Sequence, residues 1–354
     1  MIRSKYNVIG VMSGTSLDGI DLAYITFERH DSWIFKIHYT ETVCYSKDWK
    51  NQLSNLVRKD LKTIKQIDED YTTYLSGIIN AFIKKHQLNA VDFISSHGHT
   101  ALHQPHEGFT YQIGNLKKIA SLTHHKVVCD YRVQDVELGG QGAPLVPIGD
   151  QLLFSDYDCC LNLGGFANIS FEHNYNRIAF DICPVNIVLN YYCKNIDLEY
   201  DDRGHIASKG QVNSSLLEEL NALGFFQQDY PKSLGLEWVN TNVIPLIDSY
   251  QIEVKDILRT FVEHIVIQIN TILKARPLAS VLVTGGGAYN TFLINRLKDL
   301  SSNEILIPSK AIVEFKEALI FGFLGVLKLR NEVNCLASVT GAKYNHSSGV
   351  IHTF

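Results

Sequence analysis

The first half of the chain alternates short apolar runs with polar–apolar patterns at helical spacing. The runs predict strands and the spaced patterns predict helices. The predicted strands are 7–12, 20–27, 35–44, 91–95 and 126–131, and the predicted helical regions lie within 48–87 and at 116–124. The resulting order, β-β-β-α-β-α-β, is typical of an α/β domain.

The second half repeats the opening of the first, with a strand, a turn of small residues and another strand. Its predicted strands are 158–163, 168–171, 177–181, 281–284 and 305–308, and its predicted helices are 186–194, 216–223, 254–274, 292–300 and 313–326. This similarity suggests a duplicated α/β unit. The sequence GGQGAPLVP at 139–147 is the clearest break in composition between the halves.

Composition fits two globular domains and excludes several classes of protein. The 354 residues are 45% apolar and 19% charged, and a chain of this length usually forms more than one core. The net charge is −5 without a basic run, so we expect no nucleic-acid partner. The apolar stretch at 318–327 is too short for a membrane span, and the N-terminal apolar run is too short for a signal peptide. Seven cysteines without a Cys-x-x-Cys pair indicate free thiols in a reducing cytoplasm.

Three turns rich in Gly, Ser and Thr directly follow predicted strands. They lie at 10–19, 162–170 and 284–290. Backbone N–H groups at such turns can bind phosphate, and α/β proteins bind ligands at the carboxyl ends of their strands. Any one of them is best interpreted as a plain turn, but their common position favours a nucleotide site. The first contains no Lys and is therefore not a Walker A loop.

Carboxylates stand close to two of these turns. Asp18 and Asp21 flank the first, and Asp181 ends a predicted strand. Asp181 is equally consistent with a general base or Mg²⁺ ligand and with a cap for the helix that follows. The histidines at 97–106 match no zinc spacing, so a polar loop lining a substrate pocket is the favoured interpretation.

Eight segments together resemble the anhydro-N-acetylmuramic acid kinases of the sugar kinase, Hsp70 and actin superfamily, from residue 8 to residue 351. The segments are VIGVMSGTSLDGIDLA (8–23), SSHGHTALHQP (95–105), YQIGN (111–115), VVCDYRVQDVELGGQGAPLVP (127–147), LNLGGFANIS (161–170), FDICPVN (180–186), VTGGGAYN (283–290) and SVTGA (338–342). The resemblance implies two ribonuclease H-like (actin/hexokinase-type) α/β domains with a central ATP cleft. We expect the first at 1–146 plus 335–354 and the second at 147–334.

The resemblance also implies an activity. ATP phosphorylates O6 of 1,6-anhydro-N-acetylmuramic acid while water opens the anhydro ring, giving N-acetylmuramic acid 6-phosphate for peptidoglycan recycling. Asp181 would be the catalytic base. Mg²⁺ would lie between the phosphates and Asp18, and the protein would be a cytoplasmic homodimer. The ATP-binding residues would be Gly10, Ser13, Gly14, Thr15, Ser16, Leu17, Asp18, Gly19, Gly164, Gly165, Asn168, Gly285, Gly286 and Gly287. The residues near the sugar would be His97, Thr100, Asp130, Arg132, Asp135 and Gln141, with Arg132 pairing with the lactyl carboxylate.

The chain departs from the family pattern at three positions. Cys183 and Val185 replace two glycines, and His99 stands where Gln is common. A Val would be poorly tolerated where φ must be positive. One alternative is therefore a weakly active paralogue that senses the anhydro sugar, and another is a kinase for a related sugar. A chaperone or filament ATPase is disfavoured because a long appended substrate domain is lacking and the 95–105 segment would have no role.

Overall fold

A computed structural model describes residues 3–14 and 17–354 and contains two β-sheets. Within these ranges the strands are β1 (Lys5–Ser13), β2 (Gly19–Arg29), β3 (Trp33–Cys44), β4 (Phe93–Gln104), β5 (Phe109–Ile113), β6 (Val127–Cys129), β7 (Cys159–Leu163), β8 (Phe166–His173), β9 (Asn176–Pro184), β10 (Ser280–Thr284), β11 (Glu304–Leu306) and β12 (Val350–His352).

Helices fill most of the segments between these strands. They are α1 (Lys47–Ser54), α2 (Leu61–Lys85), α3 (Lys118–Thr123), α4 (Val133–Glu137), α5 (Pro147–Leu153), α6 (Asn186–Lys194), α7 (Ser214–Ala222), α8 (Leu236–Trp238), α9 (Ile244–Asp248), α10 (Val254–Lys274), α11 (Thr291–Leu300), α12 (Lys310–Leu329) and α13 (Ala337–Thr340). A π-helical segment, Val239–Val243, joins α8 to α9. None of the helices in the described ranges has an apolar stretch long enough to cross a membrane.

The chain divides into two compact units. The first comprises Met1–Phe154 and Phe315–Phe354, and the second comprises Ser155–Glu314. These bounds assign α5 and most of α12 to the first unit, whereas the sequence-based ranges placed both in the second domain. The reason is packing, since α12 lies against the first sheet and Gly149 of α5 faces Ile320 of α12. The backbone of α12 departs from helical geometry at Phe315, where the units meet in sequence.

Both sheets have the same strand order. In the first unit the antiparallel strands β3, β2 and β1 are followed by β4 and β6, which run parallel to β1. In the second unit the antiparallel strands β9, β8 and β7 are followed by β10 and β11, which run parallel to β7. The two-sheet α/β fold that the sequence predicts is therefore confirmed. The first sheet additionally carries β5 and β12.

Several strands are longer than predicted, and the extensions of β4 and β9 involve candidate site residues. β4 runs from Phe93 through the histidines to Gln104, so His97, His99 and His103 lie on a strand and not in a loop. β9 continues three residues beyond Asp181 to Pro184. The elements β5, α4, α5, β12 and the helical stretch 236–248 have no counterpart in the prediction, because each is too short or too irregular to show a hydrophobic period.

Gly10 lies inside β1 and allows α12 to approach the sheet closely. A Cβ at this position would lie 2.0 Å from the carbonyl oxygen of Ala318. We therefore expect Gly10→Ala to lower the free energy of unfolding by about 3 kcal/mol, as overpacking in a rigid core does. At Gly77, on the exposed side of α2, no atom lies within 4 Å of the position that a Cβ would take. Gly77→Ala should raise the free energy by about 1 kcal/mol. Urea denaturation of both variants checks this pair, and equal effects would contradict the packing role.

Candidate active site

The first glycine turn begins at a buried hydrogen-bonded cluster. Ser13, the last residue of β1, is 2% exposed. Its Oγ lies 2.6 Å from the Tyr45 hydroxyl and 2.9 Å from Nδ1 of His99, and the Tyr71 hydroxyl donates to it over 3.0 Å. The Tyr45 and Tyr71 hydroxyls are 2.6 Å apart. The Ser13 side chain is thus engaged in the protein interior, so the backbone of the turn is the part that can meet a ligand.

The described residues on either side of the turn are paired with one another. Ser13 pairs with Ile20 in the β1–β2 register, and the Leu17 amide donates to the Gly14 carbonyl over 3.4 Å. Leu17 has a φ of 61°, and Asp18 is exposed. The predicted phosphate-binding residues Thr15 and Ser16 lie outside the described residues.

His99 is held neutral by burial, which lowers its pKa from 6.5 to about 4. As the pH falls from about 6.5 to about 4, the His99 imidazole is therefore protonated in the unfolded chain while it stays neutral in the folded chain. The stabilisation from this residue is complete above that window and is lost progressively through it. The free energy of unfolding of the wild type should fall as the pH is lowered from about 7.5 to about 4.5. We expect this fall to be about 2 to 3 kcal/mol smaller in His99→Gln.

Urea denaturation at the two pH values measures this difference. The matched control is His106→Gln, which removes an exposed histidine from the same chain segment. Identical pH dependence in the wild type and His99→Gln would contradict the neutral, buried state of His99.

The second and third glycine turns come together in the second unit. Gly164 and Gly165 join β7 to β8, and Gly285–Gly287 follows β10, the parallel neighbour of β7. Gly285 has a φ of 82°, and a Cβ there would lie 2.6 Å from Oδ1 of Asn162. A Cβ on Gly287 would lie 2.7 Å from Cβ of Leu163. The third turn therefore needs glycine at positions 285 and 287 in order to pack against the end of β7.

The start of α6 supports the Gly164–Gly165 turn. The Asn186 Nδ2 group donates to the Gly164 carbonyl over 2.8 Å and to the Leu163 carbonyl over 3.2 Å. The Val185 amide donates to the Gly165 carbonyl over 2.8 Å. The carbonyls of the Gly164–Gly165 turn thus accept hydrogen bonds from the start of α6, and these bonds fix the backbone of the turn.

Asp181 lies near the end of β9, opposite Asn168 in the β8–β9 register. The Leu234 amide donates to its Oδ2 over 2.8 Å, while Oδ1 has no partner among the residues that the structure describes. Burial raises the pKa of Asp181, and the Leu234 hydrogen bond opposes that shift. Asp181 does not cap α6, whose N-cap is Val185 without a side-chain hydrogen bond. The carboxylate is therefore fixed at one oxygen and available at the other.

In the first unit the structure brings His97 and Arg132 together. The Arg132 Nε donates to Nε2 of His97 over 2.8 Å, and its Nη1 donates to the Gly142 carbonyl. His97 Nδ1 lies 2.9 Å from the Gly98 carbonyl, which assigns the ring proton to Nδ1 and leaves Nε2 as an acceptor. Burial and the Arg132 charge lower the His97 pKa well below its usual value. Burial also lowers the Arg132 pKa to about 10, so it stays charged at neutral pH.

Asp135 is fully buried and has a supporting role in the structure. Its Oδ2 accepts from the Gly142 amide over 2.7 Å, and its Oδ1 accepts from the Thr340 hydroxyl over 2.7 Å. Gln141 is exposed beside it, and its amide donates to the Thr340 carbonyl over 2.8 Å. Asp135 therefore fixes the glycine-rich loop, and both of its carboxylate oxygens accept hydrogen bonds within the protein.

Asp130 lines a cavity of about 530 Å³ in the first unit, together with Tyr111, Gln112, Asn115 and Glu137. Burial and the Glu137 charge raise the Asp130 pKa to about 6. Among the six predicted sugar residues, all of which the structure describes, Asp130 alone lines this cavity. Thr100 lies on β4, opposite Gln112 of β5. The six residues therefore do not line this cavity together.

Comparison with known proteins identifies the family. The model of the family described as anhydro-N-acetylmuramic acid kinase matches residues 6–353. The chain is 33% identical to the anhydro-N-acetylmuramic acid kinase of Mannheimia succiniciproducens, covering 99% of both chains. It is 32% identical to that of Haemophilus influenzae, covering 97% of both, and 32% identical to that of Coxiella burnetii, covering 98% of both.

The chain belongs to the anhydro-N-acetylmuramic acid kinase family. It is therefore a kinase, an enzyme that transfers a phosphoryl group. Two solved structures with a similar arrangement are distant from this member of the family in sequence. An activator of 2-hydroxyisocaproyl-CoA dehydratase from Clostridium difficile is 13% identical, with a TM-score of 0.47 and coverage of 92% of this chain and 97% of the other. A ROK family glucokinase from Streptomyces griseus is 10% identical, with a TM-score of 0.42 and coverage of 90% of this chain and 98% of the other.

Neither glycine replacement of this family member stands at a position of positive φ. Val185 has a φ of −130° and is fully buried, so no positive φ is required there. Cys183 is fully buried within β9. The steric objection to Val185 that the sequence raises therefore does not apply.

Glu317 is the charged residue that the sequence analysis missed. Burial raises its pKa, the Arg132 charge opposes that shift, and Asp21 adds to it. Many protein atoms surround Glu317, although part of its side chain reaches solvent. Lys316 and Glu317 directly precede the apolar stretch 318–327 of this kinase's α12, and that position is the signal in the sequence that marks them.

Proposed function

We propose that the chain uses ATP to phosphorylate O6 of 1,6-anhydro-N-acetylmuramic acid while water opens the anhydro ring, giving N-acetylmuramic acid 6-phosphate and ADP. The observation that carries the proposal is the state of Asp181. One carboxylate oxygen is fixed by the Leu234 amide, the other has no partner among the described residues, and burial raises the pKa. A carboxylate of raised pKa is a better proton acceptor than an ordinary one, as a general base requires.

The reaction balances around this base. Asp181 accepts a proton from water, whose oxygen bonds to C1 of the sugar. The C1–O6 bond breaks, and its electron pair stays on O6. O6 then attacks the γ-phosphorus of ATP, and ADP departs. Ring opening thus supplies the phosphoryl acceptor, so neither half of the reaction needs a separately activated alcohol.

We propose that the glycine turns bind the nucleotide. Backbone at the Ser13–Gly19 turn and at Gly164, Gly165 and Asn168 would meet the phosphates, and Gly285–Gly287 would meet the adenosine. The close packing of Gly285 and Gly287 on the β7 end supports a shared surface in the second unit. Asp18 is an exposed carboxylate at the first turn, which suits Mg²⁺, an ion that is usually held by one or two carboxylates together with phosphates and water. Bound there, Mg²⁺ would neutralise charge on the phosphates.

Arg132 is the proposed partner of the lactyl carboxylate. Its Nε and Nη1 groups are fixed by His97 and Gly142, and Nη2 has no partner among the described residues. A guanidinium held in this way can offer its remaining N–H groups to an anion with little loss of side-chain entropy. We further propose that the protein acts in the cytoplasm, in peptidoglycan recycling, as a homodimer.

A coupled ADP-release assay with purified protein, ATP, Mg²⁺ and 1,6-anhydro-N-acetylmuramic acid tests the function. We expect ADP release that depends on the sugar. The two alternatives give different results. A sugar sensor would show a sugar-induced rise in melting temperature without ADP release, and a kinase for a related sugar would release ADP with another anhydro or amino sugar only. Either result would overturn the proposed substrate.

A further inference from the structure

A buried group of three side chains in the first unit has the composition of a metal site. Asp135 of α4, Cys335 and His346 each offer one ligand atom, and these atoms lie within 4.8 Å of one another. The Cys335 Sγ is 3.0 Å from Oδ1 of Asp135, and Nε2 of His346 is 3.6 Å from the same oxygen. All three residues are at least nine-tenths buried.

The backbone fixes two of the three ligands. Cys335 and His346 face each other in an isolated antiparallel bridge, in which each amide donates to the other's carbonyl over 3.1 Å. Asp135 is held independently by the Gly142 amide and the Thr340 hydroxyl. Ligand side chains that are already fixed lose little conformational entropy when a metal ion binds.

The orientation of His346 is the observation that points to a cation. Its Nδ1 lies 3.1 Å from the Tyr344 carbonyl, so Nδ1 carries the proton and Nε2 presents a lone pair. Nε2 has no hydrogen-bond partner among the described residues and faces the Asp135 carboxylate. Two buried acceptors that face each other are unfavourable unless a cation lies between them. A histidine that donates its other N–H to a backbone carbonyl is also the usual arrangement in metal sites.

The charges around Asp135 also favour a bound cation. Within the described residues, no Lys or Arg nitrogen lies within 4.0 Å of the Asp135 carboxylate. When a divalent ion binds, the proton on the Cys335 thiol is released, and the thiolate and carboxylate charges balance the charge of the ion. Zn²⁺ accepts this combination of sulfur, imidazole and carboxylate ligands.

We propose that Asp135, Cys335 and His346 bind one Zn²⁺ ion, which ties α4 and the loop at 139–142 to the C-terminal segment. A tetrahedral ion with Zn–S of about 2.3 Å and Zn–N or Zn–O of about 2.0 Å needs ligand atoms about 3.3 to 3.6 Å apart. The two pairs that include Asp135, at 3.0 and 3.6 Å, require shifts of about half an ångström at most. The Cys335 Sγ and His346 Nε2 atoms lie within 4.8 Å of each other and would close to about 3.5 Å around the ion. The three protein ligands leave a fourth position, as other three-ligand zinc sites do.

Cobalt titration of the metal-stripped, full-length protein tests the site. Under a non-thiol reductant, we expect one Co²⁺ per chain, a thiolate-to-cobalt charge-transfer band in the near ultraviolet, and loss of the band when Zn²⁺ displaces Co²⁺. We expect Cys335→Ser to lose the band. Cys44→Ser should keep it, because Cys44 is an exposed thiol outside the group. No band in the wild type, or a band that survives Cys335→Ser, would overturn the proposal.

His346→Gln gives a second test that does not depend on how well Cys335→Ser folds. This change removes the ligand nitrogen and keeps the backbone bridge with Cys335. We expect the Co²⁺ affinity to fall by more than about 100-fold, which exceeds the effect of losing an outer-shell partner. Zn²⁺ should raise the melting temperature of the wild type but not of this variant. Wild-type affinity in His346→Gln would show that the ion, if bound, lies elsewhere.

Discussion

Asp181→Asn should lower kcat for ADP release by about 1,000-fold, because an amide cannot accept the proton of the attacking water. The structure predicts that this variant folds normally. The Asn oxygen can still accept the Leu234 amide, and the residue remains half-buried at the end of β9. The dissociation constant for ATP should change less than about twofold, because the glycine turns are intact.

Steady-state ADP release and nucleotide binding by calorimetry measure these two quantities. Asp197→Asn is the matched control. Asp197 is an exposed residue of the second unit with a φ of 58°, a conformation that Asn tolerates well, so its kcat should equal that of the wild type. Normal turnover in Asp181→Asn would remove Asp181 from the role of base, and a matching loss of ATP binding would point to a structural defect instead.

Arg132→Lys should lower kcat/KM for the muramyl substrate by about 100-fold, chiefly through KM. A lysine ammonium cannot make the two hydrogen bonds that Arg132 makes to His97 and Gly142 and still present a planar pair of donors to a carboxylate. Removing a charged hydrogen bond of this kind costs about 2 to 3 kcal/mol.

A substrate without the lactyl group separates recognition from a general defect. With 1,6-anhydro-N-acetylglucosamine, the wild type and Arg132→Lys should differ by less than about threefold, because there is no carboxylate to recognise. If the variant loses activity equally on both sugars, Arg132 supports the loop at Gly142 and does not bind the lactyl carboxylate.

The sequence predicted the architecture well because the strands of both sheets carry strong apolar runs. The helices 186–194 and 254–274 match α6 and α10 at both ends, since amphipathic spacing defines long helices clearly. The short strand β5 escaped prediction because polar residues surround it. The prediction ended β4 too early because its second half is rich in His, Gly and Thr, and pairing with β5 continues the strand to Gln104.

The site was predictable only as a set of turns. Strand ends followed by Gly identified the 164–165 and 285–287 turns, but their mutual packing depends on the parallel pairing of β7 with β10, which spacing does not encode. The sequence could not show that Arg132 and Asp135, three residues apart at the start of α4, have different surroundings. Arg132 donates to His97, whereas Asp135 is buried and accepts from the Gly142 amide. Nor could it connect Asp135 with Cys335 and His346, about 200 residues away in the chain.

The position of an oxygen label in the product tests the central claim, that ring hydrolysis and phosphoryl transfer occur in one reaction. The enzyme is incubated with ATP, Mg²⁺ and 1,6-anhydro-N-acetylmuramic acid in water enriched in oxygen-18, and the product is analysed by mass spectrometry before its anomeric oxygen exchanges. The proposed mechanism predicts a sugar 6-phosphate with one oxygen-18 atom at C1 and unlabelled phosphate, formed in a one-to-one ratio with ADP. An intact anhydro ring that carries phosphate, or label in the phosphoryl group, would contradict it.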